Sequence, residues 1–200
     1  MAVSRSAGLT EELEQRRHLG VYTTPPAVVS AQVNLIQDLL RSRFAVPGGL
    51  GAPDVVVVDP ATGSGAYPMA IAALANSAGL AGRMRLFESR ADAASQAAQR
   101  LTHQLGTPVR VEARDALAQP MPIKGQLVVC LGNPPYNRQV VAPGRDTGRK
   151  GGFVRFGKPR PILHDFFTPD AGVHRKSLYN DYVYFWRWAL WAVCEQLGQR

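Results

Sequence analysis

The chain has 200 residues, of which 46% are hydrophobic and 19% are charged. This balance predicts one globular domain with a sizeable core and excludes global disorder. The chain is also basic, since 23 Lys and Arg residues against 15 Asp and Glu residues give a net charge of +8 at pH 7. A polyanionic partner fits this charge, although net charge alone does not establish nucleic-acid binding.

Membrane, secretory and metal-binding classes find no support in the sequence. It contains no run of about 18 apolar residues, which a membrane-spanning helix would need. Its first residues also lack the apolar centre of a secretory signal. We therefore expect a cytoplasmic protein without membrane contact. Cys130, Cys194 and the four histidines stand in no metal, disulfide or triad motif, so we expect no metal site.

Helices and strands alternate along most of the chain. Pro25 and Pro26 suit the start of a helix because the first helical positions need no amide donor. Apolar residues at helical spacing then predict one buried face, formed by Val29, Val33, Ile36 and Leu40. The predicted helices are Thr10–His18, one from Pro25 that ends before Pro47, Pro68–Ser77, Ala91–Leu105 and Ser177–Leu197. The predicted strands are Asp54–Val58, Arg83–Glu88, Val109–Glu112 and Leu127–Leu131.

This alternation predicts an α/β fold, with a parallel sheet, helices on both faces and right-handed crossovers. In such sheets ligands bind beyond the carboxyl ends of the strands. The residues directly after each strand are therefore the candidates for chemistry. The aromatic residues of Ser177–Leu197 could stack on bases, but we assign this segment to a buried core helix.

A long segment, Asn137–His174, shows little periodicity. Between Arg138 and Arg160 its single acidic residue is Asp146. Long segments of this kind are usually functional or disordered, so this one either contacts phosphates or is a solvated loop. The basic residues that we predict to contact nucleic acid are Arg138, Arg145, Arg149, Lys150, Arg155 and Lys158.

A glycine-rich turn, DPATGSGAY, follows the first predicted strand and contains Asp59, Gly63 and Gly65. Glycines here let the backbone approach a ligand closely, and the helix that follows offers free amide donors. The turn is not a phosphate-cradling Walker loop, because no Lys followed by Ser or Thr is present. It is not GxGxxG either, because no third glycine stands at the required spacing. A tight structural turn is the alternative.

Two carboxylates follow the next two strands. Glu88 ends the second strand and could accept hydrogen bonds from ribose hydroxyls, or it could be a surface carboxylate beside nearby arginines. Asp115 follows the third strand and could accept a hydrogen bond from an exocyclic amine, or it could cap the next turn. The sequence leaves both pairs of alternatives open.

The tetrapeptide NPPY, Asn133–Tyr136, directly follows the fourth strand. Consecutive prolines fix the backbone and carry no N–H. The Asn133 side-chain carbonyl and the Pro134 carbonyl could therefore converge on one amino group. Tyr136 could stack on a planar ring. The alternative is a proline-stiffened turn, which the motifs upstream disfavour.

Taken in order, GVYTTPPAVV, DPATGSGAY and NPPY resemble the motifs of S-adenosylmethionine-dependent amino-methyltransferases. Their order is most similar to the gamma class of adenine-specific N6 DNA methyltransferases, as in type I-like single-chain and type IIG restriction–modification enzymes. The resemblance covers residues 18–197. It implies a Rossmann-like methyltransferase fold, S-adenosyl-L-methionine as cofactor, and DNA as partner with its target adenine flipped out.

The resemblance also implies roles for individual residues. Residues 1–50 would be an N-terminal helical segment, and 51–200 the catalytic region, including a basic loop 137–174. The catalytic tetrapeptide is Asn133, Pro134, Pro135 and Tyr136. The cofactor positions are Tyr22, Thr23, Thr24 and Pro25 at the methionine end, Asp59, Ala61, Gly63 and Gly65 around the amino acid and sugar, Glu88 at the ribose, and Asp115 and Ala116 at the adenine. Holding the amine is positioning and electrostatic stabilisation, so no covalent nucleophile is needed.

The chain departs from the family in the size of its sheet, since the family has more strands than the four that the sequence predicts. We therefore expect a truncated or split gene product, or an excised fragment. A second polypeptide is one source that could supply the remaining strands and a target-recognition domain. Three other functions stay open: a protein-glutamine methyltransferase, an RNA amino-methyltransferase, and an inactive cofactor- or DNA-binding remnant.

Overall fold

A computed structural model of the chain describes residues 24–75, 79–123, 127–135, 151–168, 172 and 176–195. The predicted helix Thr10–His18 lies outside these residues. The described helices are α1 (Pro26–Ser42), α2 (Ala66–Leu74), α3 (Leu80–Arg83), α4 (Ala91–Leu105), α5 (Gly152–Phe156) and α6 (Asp181–Leu190). The strands are β1 (Val55–Asp59), β2 (Met84–Glu88), β3 (Val111–Ala113) and β4 (Leu127–Cys130), and short 3-10 helices span Gly49–Gly51 and Ile162–Phe166.

The four strands of the described residues form one parallel sheet in the order β3-β2-β1-β4. In the centre, Val57 of β1 lies opposite Met84 of β2 and Val129 of β4. The chain steps outward from β1 to β3 and then returns to the other side of β1, so the strand order reverses between β1 and β4. Parallel neighbours need crossover connections, which α2, α3 and α4 supply between the first three strands. The predicted α/β class is confirmed.

The valine run of β1 contributes to two cores, because alternate side chains of a strand point to opposite faces. Val55 and Val57 pack in a first core with α1, α2 and α4. Val56 and Val58 pack in a second core with α5, α6 and residues of the Ile162–Phe166 turn. The predicted strand, buried on both faces, is confirmed and lies one residue later than expected.

Helix α1 covers part of the first face and begins as predicted, with Pro25 as the capping residue and Pro26 as the first helical residue. The predicted buried face is confirmed for Val29, Val33 and Leu40, and Ile36 is partly buried. Gln37 is buried as well. Its side chain has a partner there, because Oε1 accepts the backbone N–H of Leu50 at 2.7 Å. This bond ties α1 to the turn that leads into β1.

The aromatic helix is shorter than predicted. Helix α6 begins at Asp181, where the side chain of Asn180 accepts the backbone N–H of Val183 at 3.0 Å. A π-helical turn, Trp191–Glu195, follows it. Assignment of this segment to the core is confirmed for Tyr184, Phe185 and Trp188, which are buried in the second core. On the opposite face, Tyr182 and Trp186 are 44% and 52% exposed.

The expectation that residues 137–174 lack regular structure is wrong for the described part. Residues 151–168 contain α5 and a 3-10 helix, and they bury Val154 and Leu163 in the second core. The backbone N–H of Phe153 donates to the carbonyl of Leu117 at 2.8 Å. Local periodicity cannot predict this bond, because its partners are far apart in the sequence.

Arg187 joins α6 to this segment. Its side chain is 2% exposed, its Nε donates to the carbonyl of Ile162 at 2.8 Å, and its Nη atoms pair with Asp165 at 2.5 Å and Glu195 at 2.8 Å. Burial lowers the pKa of Arg187, but hydrogen bonds and charges from Glu195 and Asp165 outweigh burial and hold the pKa above its usual value. The guanidinium is therefore a charged link between α6 and the segment.

Replacing Arg187 by leucine is expected to lower the free energy of unfolding by about 2 to 3 kcal/mol, because a carbonyl loses its donor and two carboxylates lose their counter-ion. Arg160→Leu is the matched control, since Arg160 makes a solvent-exposed pair with Asp165 at 3.1 Å. Its cost should stay below about 1 kcal/mol. Urea denaturation measures both, and equal costs would contradict the structural role given to Arg187.

Candidate functional site at the carboxyl edge of the sheet

Three of the predicted motifs meet at one edge of the sheet. Strands β2, β1 and β4 are neighbours, and all three run in the same direction. They end at Glu88, Asp59 and Cys130, so the residues that follow them share the carboxyl edge. This edge includes the point where the strand order reverses, the usual ligand position in open α/β sheets.

The turn after β1 is held by one backbone group and one side chain of the neighbouring strand β2. The N–H of Thr62 donates to the carbonyl of Phe87 at 2.8 Å, and the N–H of Gly63 donates to Oε2 of Glu88 at 2.9 Å. Gly63 and Gly65 have φ angles of +54° and +86°, which favour glycine. Among the described residues, a Cβ at Gly63 would meet only the carbonyl oxygen of Ala61, at 3.9 Å. The two hydrogen bonds therefore fix the shape of the turn, and no described side chain packs against Gly63.

Glu88 connects β2 to that turn. Its side chain is largely buried, Oε2 accepts from Gly63, and Oε1 accepts the backbone N–H of Arg90 at 2.9 Å. The alternative of a surface carboxylate beside arginines is wrong about exposure, although Arg90 does lie close by, with Nε 3.6 Å from Oε1. A carboxylate oxygen has more than one acceptor site, so these bonds still allow Glu88 to accept from a ligand hydroxyl.

Asp59 is the buried carboxylate of the site, with 1% of its surface exposed. Its Oδ1 accepts the backbone N–H of Ala61 at 3.0 Å. The pKa of Asp59 is raised to about 7, chiefly by burial; the hydrogen bond from Ala61 opposes this rise and the charge of Glu88 adds to it. A carboxyl group that titrates near neutral pH at the end of a central strand is a common property of functional sites.

Cys130 lies beside Asp59 but is not a nucleophile. Burial, followed by the charge of Asp59, raises the pKa of the Cys130 thiol to about 12. A thiol is reactive as its thiolate, so Cys130 stays protonated and inert at neutral pH.

The described part of the tetrapeptide is Asn133–Pro135, and Tyr136 lies outside the described residues. The N–H of Leu131 donates to the carbonyl of Val58 at 3.0 Å, which continues the β1–β4 pairing beyond Cys130. Asn133, Pro134 and Pro135 follow at once and are half-buried. The sheet therefore brings the start of the tetrapeptide to the edge that holds Asp59.

Gly132 is a residue of this edge that motif analysis does not identify. A methyl group in place of its hydrogen would overlap Oδ1 of Asp59 and lie 3.0 Å from Cγ. The one sequence signal is its place between β4 and Asn133. Glycine is required here because the Asp59 carboxylate of the neighbouring strand occupies the space of a side chain, so the sequence alone could not reveal the requirement.

Asp115 caps the turn after β3, as one of its two interpretations predicts. Its Oδ1 accepts the N–H of Leu117 at 2.8 Å, and its backbone carbonyl accepts the N–H of Ala118 at 3.1 Å. Ala116 is buried in the second core. The same turn receives the hydrogen bond from Phe153, so residues 151–168 pack against it. Capping uses one carboxylate oxygen, and Asp115 as a residue is exposed.

The N-terminal motif is described from Thr24, and Tyr22 and Thr23 lie outside the described residues. Pro25 accepts the N–H of Val28 at 2.9 Å as α1 begins. Further along α1, Oε1 of Gln32 accepts the hydroxyl of Tyr67 at 2.5 Å. Because Tyr67 lies in α2, this bond fixes α1 relative to the helix that follows the glycine-rich turn.

Two of the six predicted nucleic-acid contacts are described. The Arg155 guanidinium lies over the rings of Tyr179 and Phe156, 4.6 and 4.9 Å from their centroids, whereas Lys158 is exposed. Arg155 thus packs on two aromatic rings, and its contact with nucleic acid stays a prediction. Outside the described residues lie Arg138, Arg145, Arg149 and Lys150.

Neither a metal centre nor a membrane span is found in the described part of the chain. Within it, no three His, Cys, Asp or Glu side chains are grouped so as to hold a metal ion. No helix there is both long enough and apolar enough to cross a membrane. The chemistry available at the edge is that of carboxylate, amide and backbone groups, which suits a ligand with hydroxyl and amino groups.

Comparison with solved structures identifies proteins with the same fold. The chain is similar to the ATP-dependent Type ISP restriction-modification enzyme LlaBIII bound to DNA, with TM-score 0.68, 16% identity, and 87% of this chain and 14% of that chain covered. It is also similar to the DrdV–DNA complex, with TM-score 0.62, 19% identity, and coverage of 88% and 19%. A nuclease-deletion mutant of the Type ISP restriction-modification enzyme LlaGI, in complex with a DNA substrate mimic, gives TM-score 0.62, 17% identity, and coverage of 86% and 19%.

The chain therefore spans less than a fifth of the length of each of these three proteins. No protein-family model matches the chain, and no curated protein is significantly similar to it in sequence. At 16 to 19% identity, the likeness establishes a shared fold. The Rossmann-like α/β architecture predicted for the chain is the fold that these structures share with it.

Proposed function

We propose that this chain is the catalytic region of a DNA adenine N6-methyltransferase of a restriction–modification system. The observation that carries the proposal is the meeting of the glycine-rich turn, Glu88 and Asn133–Pro135 at one sheet edge. The fold shared with DNA-bound restriction–modification enzymes supports it. We expect the reaction to take place in the cytoplasm.

The residues at the edge fit S-adenosyl-L-methionine. Glu88 offers a buried carboxylate for the ribose hydroxyls, and no side chain of the described residues fills the space beside the backbone of Gly63. Asp59 supplies a second carboxylate beside that turn. The other cofactor positions are Tyr22, Thr23, Thr24 and Pro25, Ala61 and Gly65, and Asp115 with Ala116. When bound, the cofactor supplies an electrophilic methyl group on a sulfonium.

Residues of the tetrapeptide would hold the acceptor. An adenine amino group is a poor nucleophile because its lone pair is delocalised into the ring. The Asn133 side-chain carbonyl and the Pro134 carbonyl accept hydrogen bonds from the amine, and Pro135 keeps the backbone rigid. These two acceptors stabilise the positive charge that develops on nitrogen as the lone pair localises. Tyr136 stacks on the base, which has to leave the duplex to reach the site.

DNA is the partner that the charge and the fold favour. Arg138, Arg145, Arg149, Lys150, Arg155 and Lys158 would contact phosphates near the flipped base. Phosphate contacts position a protein on DNA, whereas base contacts specify the sequence. We assign sequence recognition to a target-recognition domain outside this chain, and a second polypeptide is one way to supply it together with further strands.

Glu88→Gln is expected to weaken binding of S-adenosylhomocysteine roughly tenfold or more. The amide nitrogen cannot accept a hydrogen bond, so one backbone amide loses its acceptor and the ribose loses a charged one. Isothermal titration calorimetry measures the affinity. Glu112→Gln, at a half-buried glutamate in β3, serves as the control and should bind like the wild type. Equal affinity in all three proteins would contradict the role of Glu88.

Offering three substrates to one enzyme tests the proposed function. Labelled S-adenosylmethionine is supplied with equal amounts of unmodified DNA, RNA and a glutamine-containing protein, and the label in each is counted. We expect the label in DNA. Label in RNA or protein would favour one of the other two methyltransferases. Binding of cofactor with no label transferred would favour a catalytically inactive remnant.

A further inference from the structure

Gly132 and Asp59 lie side by side at the carboxyl edge although they belong to different strands. Asp59 is the last residue of β1, and Val58 pairs with Cys130 of β4. The hydrogen bond from Leu131 to Val58 carries that pairing one residue further. Gly132 follows and runs directly alongside the Asp59 carboxylate.

The contact leaves no room for a side chain at Gly132. A Cβ there would overlap Oδ1 of Asp59, with Cγ at 3.0 Å and Oδ2 at 3.4 Å. The backbone of Gly132 is not in the left-handed region, unlike that of Gly63 and Gly65. Steric exclusion by Asp59, rather than backbone conformation, therefore requires glycine here.

Asp59 cannot easily yield to a larger residue. Its side chain is buried, and Oδ1 holds the N–H of Ala61 at 3.0 Å. The hydroxyl of Thr62 donates to the backbone carbonyl of Asp59 at 3.3 Å. Moving the carboxylate would therefore disturb the glycine-rich turn, and leaving it in place would displace residues 132–134.

We propose that Gly132 is a positioning residue that sets the spacing between the cofactor turn and the acceptor-holding Asn133–Pro134. The proposal rests on the proposed function, since the spacing matters only if a methyl group passes between the two segments. Methyl transfer needs both reactants in a near-attack arrangement, and a misplacement of about 1 Å can lower the rate roughly a hundredfold.

The functional test is Gly132→Ala in the full chain. Its kcat for methyl transfer to DNA should fall roughly a hundredfold, whereas its dissociation constant for S-adenosylhomocysteine should change by less than about threefold, as calorimetry measures. A general loss of structure would weaken both, so the split between the two readouts separates positioning from unfolding. Gly82→Ala is the control, because no atom of the described residues lies within 4 Å of a Cβ at that position.

A second measurement tests the contact without using activity. Gly132→Ala should lower the Tm, and Asp59→Ala should relieve at least half of that loss because it removes the atoms that the new methyl group meets. Asp59→Asn keeps atoms of the same size in place and should relieve little of it. These cycles need neither cofactor nor DNA.

The outcomes separate the proposals. Wild-type kcat and Tm in Gly132→Ala would overturn the positioning role, and so would a Tm loss that Asp59→Ala does not relieve. A fall in S-adenosylhomocysteine affinity as large as the fall in kcat would also overturn it. A wild-type chain that transfers no methyl group would refute the proposed function, while the Tm cycles would still establish whether Gly132 and Asp59 are in contact.

Discussion

Replacing Asn133 by alanine is expected to lower kcat for methyl transfer to DNA by roughly a hundredfold to a thousandfold, the size of effect seen when one preorganised polar group is removed from a site of developing charge. The side-chain carbonyl is one of two acceptors proposed for the adenine amine. Losing it leaves the Pro134 carbonyl alone to orient the lone pair. Single-turnover kinetics with excess enzyme would measure the chemical step directly.

Cofactor binding should survive this substitution, because Asn133 follows β4 whereas none of the proposed cofactor positions does. The dissociation constant for S-adenosylhomocysteine is therefore expected to stay close to the wild-type value. Asn34→Ala, at an exposed position of α1, is the matched control and should keep full activity. An Asn133→Ala protein with wild-type kcat would remove Asn133 from the mechanism.

Titration of Asp59 is expected to make the free energy of unfolding depend on pH. The pKa of Asp59 rises from an ordinary 3.8 to about 7 in the folded chain, so the folded state binds this proton more tightly than the unfolded state. The stabilisation from protonated Asp59 is complete below about pH 4 and is lost as the pH rises through about 7. The loss should amount to about 2 to 4 kcal/mol across that range.

Asp59→Asn isolates this contribution, because asparagine stays neutral at every pH in the range. Urea denaturation at a series of pH values should give a curve for Asp59→Asn that is flatter than the wild-type curve. The exposed Asp38 on α1 provides the control, and Asp38→Asn should follow the wild type. Parallel curves for Asp59→Asn and wild type would mean that Asp59 titrates at its ordinary value.

The sequence predicts all four strands and the helices α1, α2 and α4, because each carries a local signal, but it does not predict the short helix α3. The β-branched run at 55–58 forms a strand buried on both faces. Helix α4 has both predicted ends, and Gly106 follows it with φ +63° as a C-terminal cap. Strand β3 is displaced by two residues at its start, because it is short, half-exposed and weakly patterned.

Structure that depends on contacts between residues far apart in the chain leaves no local pattern in the sequence. Residues 151–168 fold through the Phe153–Leu117 hydrogen bond and the ion pairs of Arg187, whose partners are far apart in the chain. At the site, the position of Asp59 and Glu88 at the carboxyl edge could be predicted, because both stand at the ends of predicted strands, where ligands bind. Gly132 could not, because the carboxylate that requires a glycine there belongs to β1.

Mass spectrometry of DNA nucleosides directly tests whether this chain methylates adenine in DNA. The full chain is incubated with unmodified DNA and isotopically labelled S-adenosylmethionine, with Tyr136→Ala in parallel, and the DNA is digested to nucleosides. We expect labelled N6-methyladenine from the wild type and none from Tyr136→Ala. Label on cytosine, or no labelled nucleoside from a chain that binds the cofactor, would contradict this expectation.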